Sequence, residues 1–153
     1  MKILLLSYHI NDVGVEGLSR LTVPALERQS YLSQLKTKTR ASEIYYLATC
    51  NRIEYALVFE DHIPEDISAL PELSHRIFSE ISGVIEHLLD VALSKDSVVF
   101  GESQIMGQIK EAVQDQKEKK FIGSHLSKIM DLVLREAKSI RTEVGLSHCH
   151  TSV

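Results

Sequence analysis

Cys50 stands between Thr49 and the pair Asn51-Arg52. That setting suits covalent chemistry better than core packing. Most cysteines in domains of this kind are buried and inert, and a core position would place apolar neighbours beside the sulfur. The run Thr49-Cys50-Asn51-Arg52 separates two apolar segments, Glu43–Ala48 and Ile53–Phe59. It reads as a sharp connection between two core strands, where backbone can converge on a substrate. An Arg52 side chain turned inward would favour the thiolate, the reactive form of cysteine. The chemistry open to such a group is nucleophilic attack that splits one hard step into two.

A second polar cluster runs from Ser97 to Gln108 as Ser-Val-Val-Phe-Gly-Glu-Ser-Gln-Ile-Met-Gly-Gln. Gly101 and Gly107 permit close backbone approach. Glu102, Gln104 and Gln108 supply hydrogen-bonding groups around a helix start, and Gln104 and Gln108 share one helical face. A helix N-terminus also favours anions. Read alone, the same run is an ordinary capped helix start. His148-Cys149-His150 is expected to hold no metal, because adjacent residues of an extended chain alternate sides and no Cys-x-x-Cys accompanies them. It reads as a frayed tail.

The elements that position these residues follow from hydrophobic patterning. Lys2–His9 is expected to be a buried strand. Ile10–Ser19, with Gly14 and Gly17, reads as a loop. Thr22 is expected to cap a helix with Pro24 in its first turn, running to about Lys36, and Lys36–Arg40 reads as a basic loop. Glu43–Ala48 and Ile53–Phe59 are the second and third strands. Glu60–Leu73 reads as an acidic loop and His75–Phe78 as a short fourth strand. From Ser82 the pattern turns helical, with Ile85, Leu88, Leu89 and Ala92 on one face. After a break at Ser94–Gly101, a second helix spans Ser103–Lys119. A third begins at Ser124, the expected cap, and ends near Gly145. The fold class is α+β: a small, mostly antiparallel sheet with a ferredoxin-like βαβ-type core, covered by helices and ending in long helices.

Composition sets the outer bounds. The 153 residues include five Tyr, four Phe and no Trp, so Leu, Ile and Val must fill most of the core. A chain this long buries roughly two-thirds of its unfolded surface and folds as one domain without staples. The formal net charge of -4 argues against holding nucleic acid by charge alone, though not against a local patch. The basic residues Lys36, Lys38, Arg40, Lys117, Lys119 and Lys120 read as solvated surface. Two cysteines are too few for a disulfide framework, and a reducing, cytoplasmic location is expected. The apolar run Ile3–Leu6 is too short for a signal peptide, and no stretch approaches a membrane span. No Gly-rich dinucleotide fingerprint follows a strand.

Five segments together resemble the glutamyl-tRNA reductase family. Ala48-Thr49-Cys50-Asn51-Arg52-Ile53-Glu54 resembles its Ser-Thr-Cys-Asn-Arg-Thr-Glu segment. Asp96 through Gln108 resembles its Asp-Ser-hydrophobic-Gly-Glu-Pro-Gln-Ile-Leu-Gly-Gln segment. Ile140-Arg141-Thr142-Glu143 resembles its Val-Arg-Thr-Glu ending, and Tyr8-His9 its early Asn-His. His87 falls ten residues before the motif serine, at the spacing of the family's functional histidine. The matches run in the family's order. Ala48 and Ser103 depart from the usual Ser and Pro, the segment between Phe59 and His75 is shortened, and Ile10-Asn11-Asp12-Val13 replaces the family's Lys-Thr-Ala-Pro.

The resemblance implies reduction of tRNA-bound glutamate to glutamate-1-semialdehyde with NADPH, for tetrapyrrole synthesis. Cys50 would attack the ester of glutamyl-tRNA and form a thioester, a better hydride acceptor than an ester. Arg52 would grip a carboxylate of the glutamyl group. Thr49, Asn51, Ser97, Glu102, Ser103, Gln104 and Gln108 would line the aminoacyl pocket, and His87, which read alone is a satisfied core histidine, would in the family pattern assist proton transfer near Cys50. No metal is implied. The family continues into nucleotide-binding and dimerisation domains. Residues 1–153 are therefore expected to form its N-terminal catalytic domain, a monomer lacking the NADPH site, able to form the thioester and slowly hydrolyse it. Two rival readings are a non-catalytic tRNA-binding or regulatory module that keeps the fold, and a general thiol hydrolase of small esters.

Overall fold

The computed structural model describes residues 1–72, 76–95 and 104–145. Four strands, β1 (Lys2–His9), β2 (Glu43–Ala48), β3 (Arg52–Phe59) and β4 (Arg76–Phe78), form one sheet in the order β2-β3-β1-β4. All three pairings are antiparallel. Chain order and sheet order together match the split βαβ arrangement expected from the sequence. Helices α1 (Ile10–Leu21) and α2 (Ala25–Thr39) connect β1 to β2, and α3 (Ile81–Ala92), α4 (Gln104–Glu118) and α5 (Ser124–Glu143) follow the sheet.

Both faces of the sheet are covered, so its strands read as apolar runs rather than alternating ones. Ile3, Leu5, Tyr45, Leu47, Ala56 and Val58 pack against α3, α4 and α5. On the other face, Leu6, Tyr8, Ile44, Tyr46, Tyr55 and Leu57 pack against Leu18 of α1, Leu32 and Leu35 of α2, and Leu70 of the β3–β4 connection. Polar residues within such strands are therefore conspicuous. Ser7, Glu43, Arg52 and Glu54 are all buried.

Several local expectations are corrected. The segment read as a loop, Ile10–Ser19, is helical. Gly14, at φ 73°, kinks α1 after one turn, and a side chain there would be strained. At Gly17 a Cβ would lie 2.9 Å from the Cβ of Val13, so this glycine serves close approach within the kinked helix. Thr22 closes α1 instead of opening α2: its amide and hydroxyl both donate to the Leu18 carbonyl. Pro24 occupies the cap of α2, which runs on through Lys36 and Lys38 until Arg40 ends it in the left-handed region. The basic run is thus mostly the last turn of a helix, where cations complement the helix dipole.

Ser124 is the first residue of α5 and not its cap. The Glu43 carboxylate caps this helix from β2, accepting from the amides of Gly123 (2.9 Å), His125 (3.0 Å) and Leu126 (2.8 Å). Three orphan helix amides are satisfied by one side chain. Glu43→Ala is expected to lower stability by about 2 kcal/mol, the upper end for loss of a cap. Urea unfolding measures this, and a change under a few tenths would contradict the assignment.

The free edge of β2 is closed by the α4–α5 corner. Phe121 accepts from the Ile44 amide at 2.9 Å. The Gln116 amide both accepts from the Tyr46 N–H (2.8 Å) and donates to its carbonyl (2.6 Å), standing in for a neighbouring strand.

Tyr8, Tyr45, Tyr46 and Tyr55 are all held above their ordinary pKa of 10.0, chiefly by burial. The unfolded chain ionises them near pH 10 while the folded chain does not. Stability is therefore complete below that pH and falls as pH rises above it. The expected result is cooperative alkaline unfolding, with phenolate absorbance rising in step with loss of helical signal. Tyrosine ionisation well ahead of unfolding would contradict it.

Candidate active site

The turn between β2 and β3 is a two-residue hairpin loop with Cys50 and Asn51 at its tip. The Thr49 amide donates to the Arg52 carbonyl at 2.9 Å. Tight hairpins of this length normally need positive φ at one or both central residues, yet neither Cys50 nor Asn51 has it. Thr49 explains the exception, since its hydroxyl accepts from the amides of both Asn51 and Arg52, each at 3.2 Å. Thr49 thus shapes the turn that presents the cysteine. The Asn51 carbonyl accepts from the Ile10 amide at 2.9 Å, which ties the turn to α1. Cys50 is exposed.

Arg52 turns into the sheet face under α3, where it meets Glu54. Its side chain is 2% exposed, and Nη1 lies 3.3 Å from Oε1 of Glu54, which is fully buried. The register places Ser7 opposite Glu54 and His9 opposite Arg52. Ser7 donates to Glu54 Oε1 at 2.8 Å, and Glu54 Oε2 lies 3.0 Å from Nε2 of His87 on α3. The His87 ring also packs on Phe78 of β4.

Two donors stand out in this cluster. Among the described residues Arg52 Nη2 is buried without a hydrogen-bond partner, and so is the Tyr45 hydroxyl. Burial raises the Tyr45 pKa, and the Glu54 charge adds to the effect, so this hydroxyl stays protonated. A buried guanidinium with an unused donor is costly unless something accepts from it. A carboxylate is the matching acceptor.

The expected site residues are only partly gathered. Arg52 and His87 meet through Glu54. Thr49 and Cys50 line a separate hollow with Ile10, Val15, Leu18, Ser19 and Thr22. His87 lines another, with Arg76, Phe78 and Asp90. Gln108 lines a third, beside Arg28, Tyr46 and Ala48 on the β2 edge. No hydrogen bond joins Cys50 to His87 among the described residues. Gln104 is exposed at the start of α4. Ser97, Glu102 and Ser103, like His148-Cys149-His150, lie outside the described residues.

Comparison with known proteins gives the family. Residues 6–144 match the family described as "Glutamyl-tRNAGlu reductase, N-terminal domain". The chain belongs to this family. It is similar to the glutamyl-tRNA reductase of Aquifex aeolicus (strain VF5), with 36% identity over 148 residues covering 91% of this chain and 36% of that protein. The corresponding protein of Syntrophus aciditrophicus (strain SB) is 33% identical over 162 residues, covering 90% and 38%. In fold it is similar to the glutamyl-tRNA reductase from Methanopyrus kandleri, with a TM-score of 0.79 over 92% of this chain and 34% of that one, at 19% sequence identity. The chain therefore spans little more than a third of the length of these relatives.

Sequence reasoning about this glutamyl-tRNA reductase domain missed Glu54, Ser7 and Tyr45 as members of the site. A signal for two of them was present: a carboxylate and a hydroxyl inside otherwise apolar strands. Their meeting point depends on register, which the pattern alone does not reveal.

Proposed function

We propose that this chain is the N-terminal catalytic domain of a glutamyl-tRNA reductase, in which the Cys50 thiolate takes the glutamyl group from the ester of glutamyl-tRNA. The observation that carries this is the geometry of the turn: an exposed cysteine at its tip, followed two residues on by a buried arginine with one amino group held and the other unused. In the reaction the Cys50 sulfur bonds to the ester carbonyl carbon, the bond from that carbon to the ribose oxygen breaks, and the proton ends on the released ribose hydroxyl. The product is a thioester. Sulfur donates less electron density into the carbonyl than oxygen, which makes it the better acceptor for later hydride transfer.

Arg52 Nη2 would hold a carboxylate of the glutamyl group, with Glu54 fixing the guanidinium from behind. Thr49 and Asn51 act by shaping the turn. Gln104, Gln108, Ser97, Glu102 and Ser103 are proposed to complete the aminoacyl pocket. For His87 the geometry favours a positioning role, since it holds Glu54 and lines a different hollow from Cys50.

Reduction to glutamate-1-semialdehyde would need NADPH. The described sheet is antiparallel throughout and has no parallel βαβ crevice of the kind that seats a dinucleotide. Its residues do not fit that cofactor. No hydride step belongs to them, and NADPH is proposed to bind in the portion present in the longer relatives. The test is intact-protein mass spectrometry after mixing with glutamyl-tRNA and quenching in acid. A glutamyl adduct on Cys50 supports the reading. An unmodified folded protein with intact substrate would move the binding-module alternative ahead.

A further inference from the structure

The hollow beside Cys50 lies on the opposite face of the sheet from Arg52. Side chains alternate along β3, so Arg52 and Glu54 face α3 while Ile53 and Tyr55 face α1 and α2. The hollow belongs to this second side. Its wall includes Leu18 of that core and Ile10, which packs against it. Cys50 thus sits between the buried Arg52 on one side and a largely apolar hollow on the other.

An ester attacked at Cys50 carries two groups on its reacting carbonyl, the acyl chain and the alkoxy group. If Arg52 draws the glutamyl carboxylate to its side, the alkoxy group is left facing the hollow. Resting on that acyl-transfer reading, we propose that the hollow formed by Ile10, Val15, Leu18, Ser19 and Thr22 receives the leaving group, the terminal adenosine of the acylated tRNA.

The dimensions and chemistry agree with one nucleoside. Its volume is about 200 Å³, below the roughly 300–1,000 Å³ that takes a whole drug-sized ligand or cofactor. Ile10, Val15 and Leu18 offer apolar surface to the face of a base, and covering such surface is favourable without reading sequence. The Ser19 hydroxyl stands on the same wall, where it can meet ribose oxygens or the base edge. Val15 is 73% exposed, so the hollow opens to solvent and a polynucleotide can lead away from it. The link from the Ile10 amide to the Asn51 carbonyl fixes the wall to the turn that carries the sulfur. Phosphate contacts are not required at this point, which suits a chain of net charge -4.

The test compares two small esters, 2′(3′)-O-glutamyladenosine and glutamate α-ethyl ester. Acylation of Cys50 is followed by intact mass, with each rate divided by that ester's rate with free N-acetylcysteine. The expected result is a normalised preference for the adenosyl ester of about tenfold or more, or some 1.4 kcal/mol of selective binding. Val15→Asp, at an exposed position, and Ser19→Phe, which fills the hollow, should each bring the ratio toward one. Equal normalised rates in the unmodified protein, or a ratio unmoved by both substitutions, would overturn the assignment while leaving acyl transfer standing. Acylation by neither ester would overturn the acyl-transfer reading and this inference with it.

Discussion

Cys50→Ser is expected to leave the protein folded and to abolish the glutamyl adduct completely. The fold should not notice the change, because Cys50 is exposed and its side chain makes no hydrogen bond on which the turn depends. Surface substitutions of this size usually stay within about 0.5 kcal/mol. The chemistry should notice it fully. A serine hydroxyl needs an adjacent general base to become a nucleophile, and among the described residues no histidine or carboxylate lines the hollow with Cys50. The adduct on the unmodified protein should release its acyl group to neutral hydroxylamine, as a thioester does. An adduct that persists in Cys50→Ser, or that resists hydroxylamine, would place the nucleophile elsewhere. A folded Cys50→Ser protein that still binds glutamyl-tRNA would separate recognition from catalysis.

The parts of the fold that were legible in the sequence are those where burial alone decides the pattern. β1 and β2 have the expected bounds, and β3 begins one residue early, at Arg52. The Leu126, Ile129, Met130, Val133 and Ala137 stripe marks α5 because it is buried in the core shared with α3, α4 and the sheet. α1 was illegible for a local reason. Gly14 and Gly17 signal a loop, yet one supplies a kink and the other a close approach inside a helix. The cap of α5 was illegible for a distant one: Glu43 lies 80 residues before Gly123, and only the sheet brings it there. The site shows the same division. The setting of Cys50 among polar residues could be read directly, and so could the presence of Arg52. That Arg52 is buried against Glu54, and that Glu54 joins it to His87, are consequences of strand alternation and register.

Glu54→Leu is expected to destabilise the protein by about 3–5 kcal/mol, the range for removing one partner of a buried ion pair. The substitution leaves the Arg52 guanidinium, 2% exposed, with neither amino group paired. It also deprives the Ser7 hydroxyl and His87 Nε2 of their common partner. Replacing both partners, as in Arg52→Met with Glu54→Leu, removes the stranded charge and should recover a large part of the loss, because buried pairs often exchange for apolar side chains at little net cost. Urea unfolding of the single and double variants gives the comparison, and a Glu54→Leu midpoint close to that of the unmodified protein would sink the account of the pair. Acylation of Cys50 should behave differently from stability. The double variant, though restored in fold, lacks the donor proposed to hold the glutamyl carboxylate, and its adduct should form far more slowly than in the unmodified protein. Recovery of both stability and acylation would make the ion pair purely structural. Recovery of stability without acylation would assign Arg52 to the substrate and Glu54 to holding it in place.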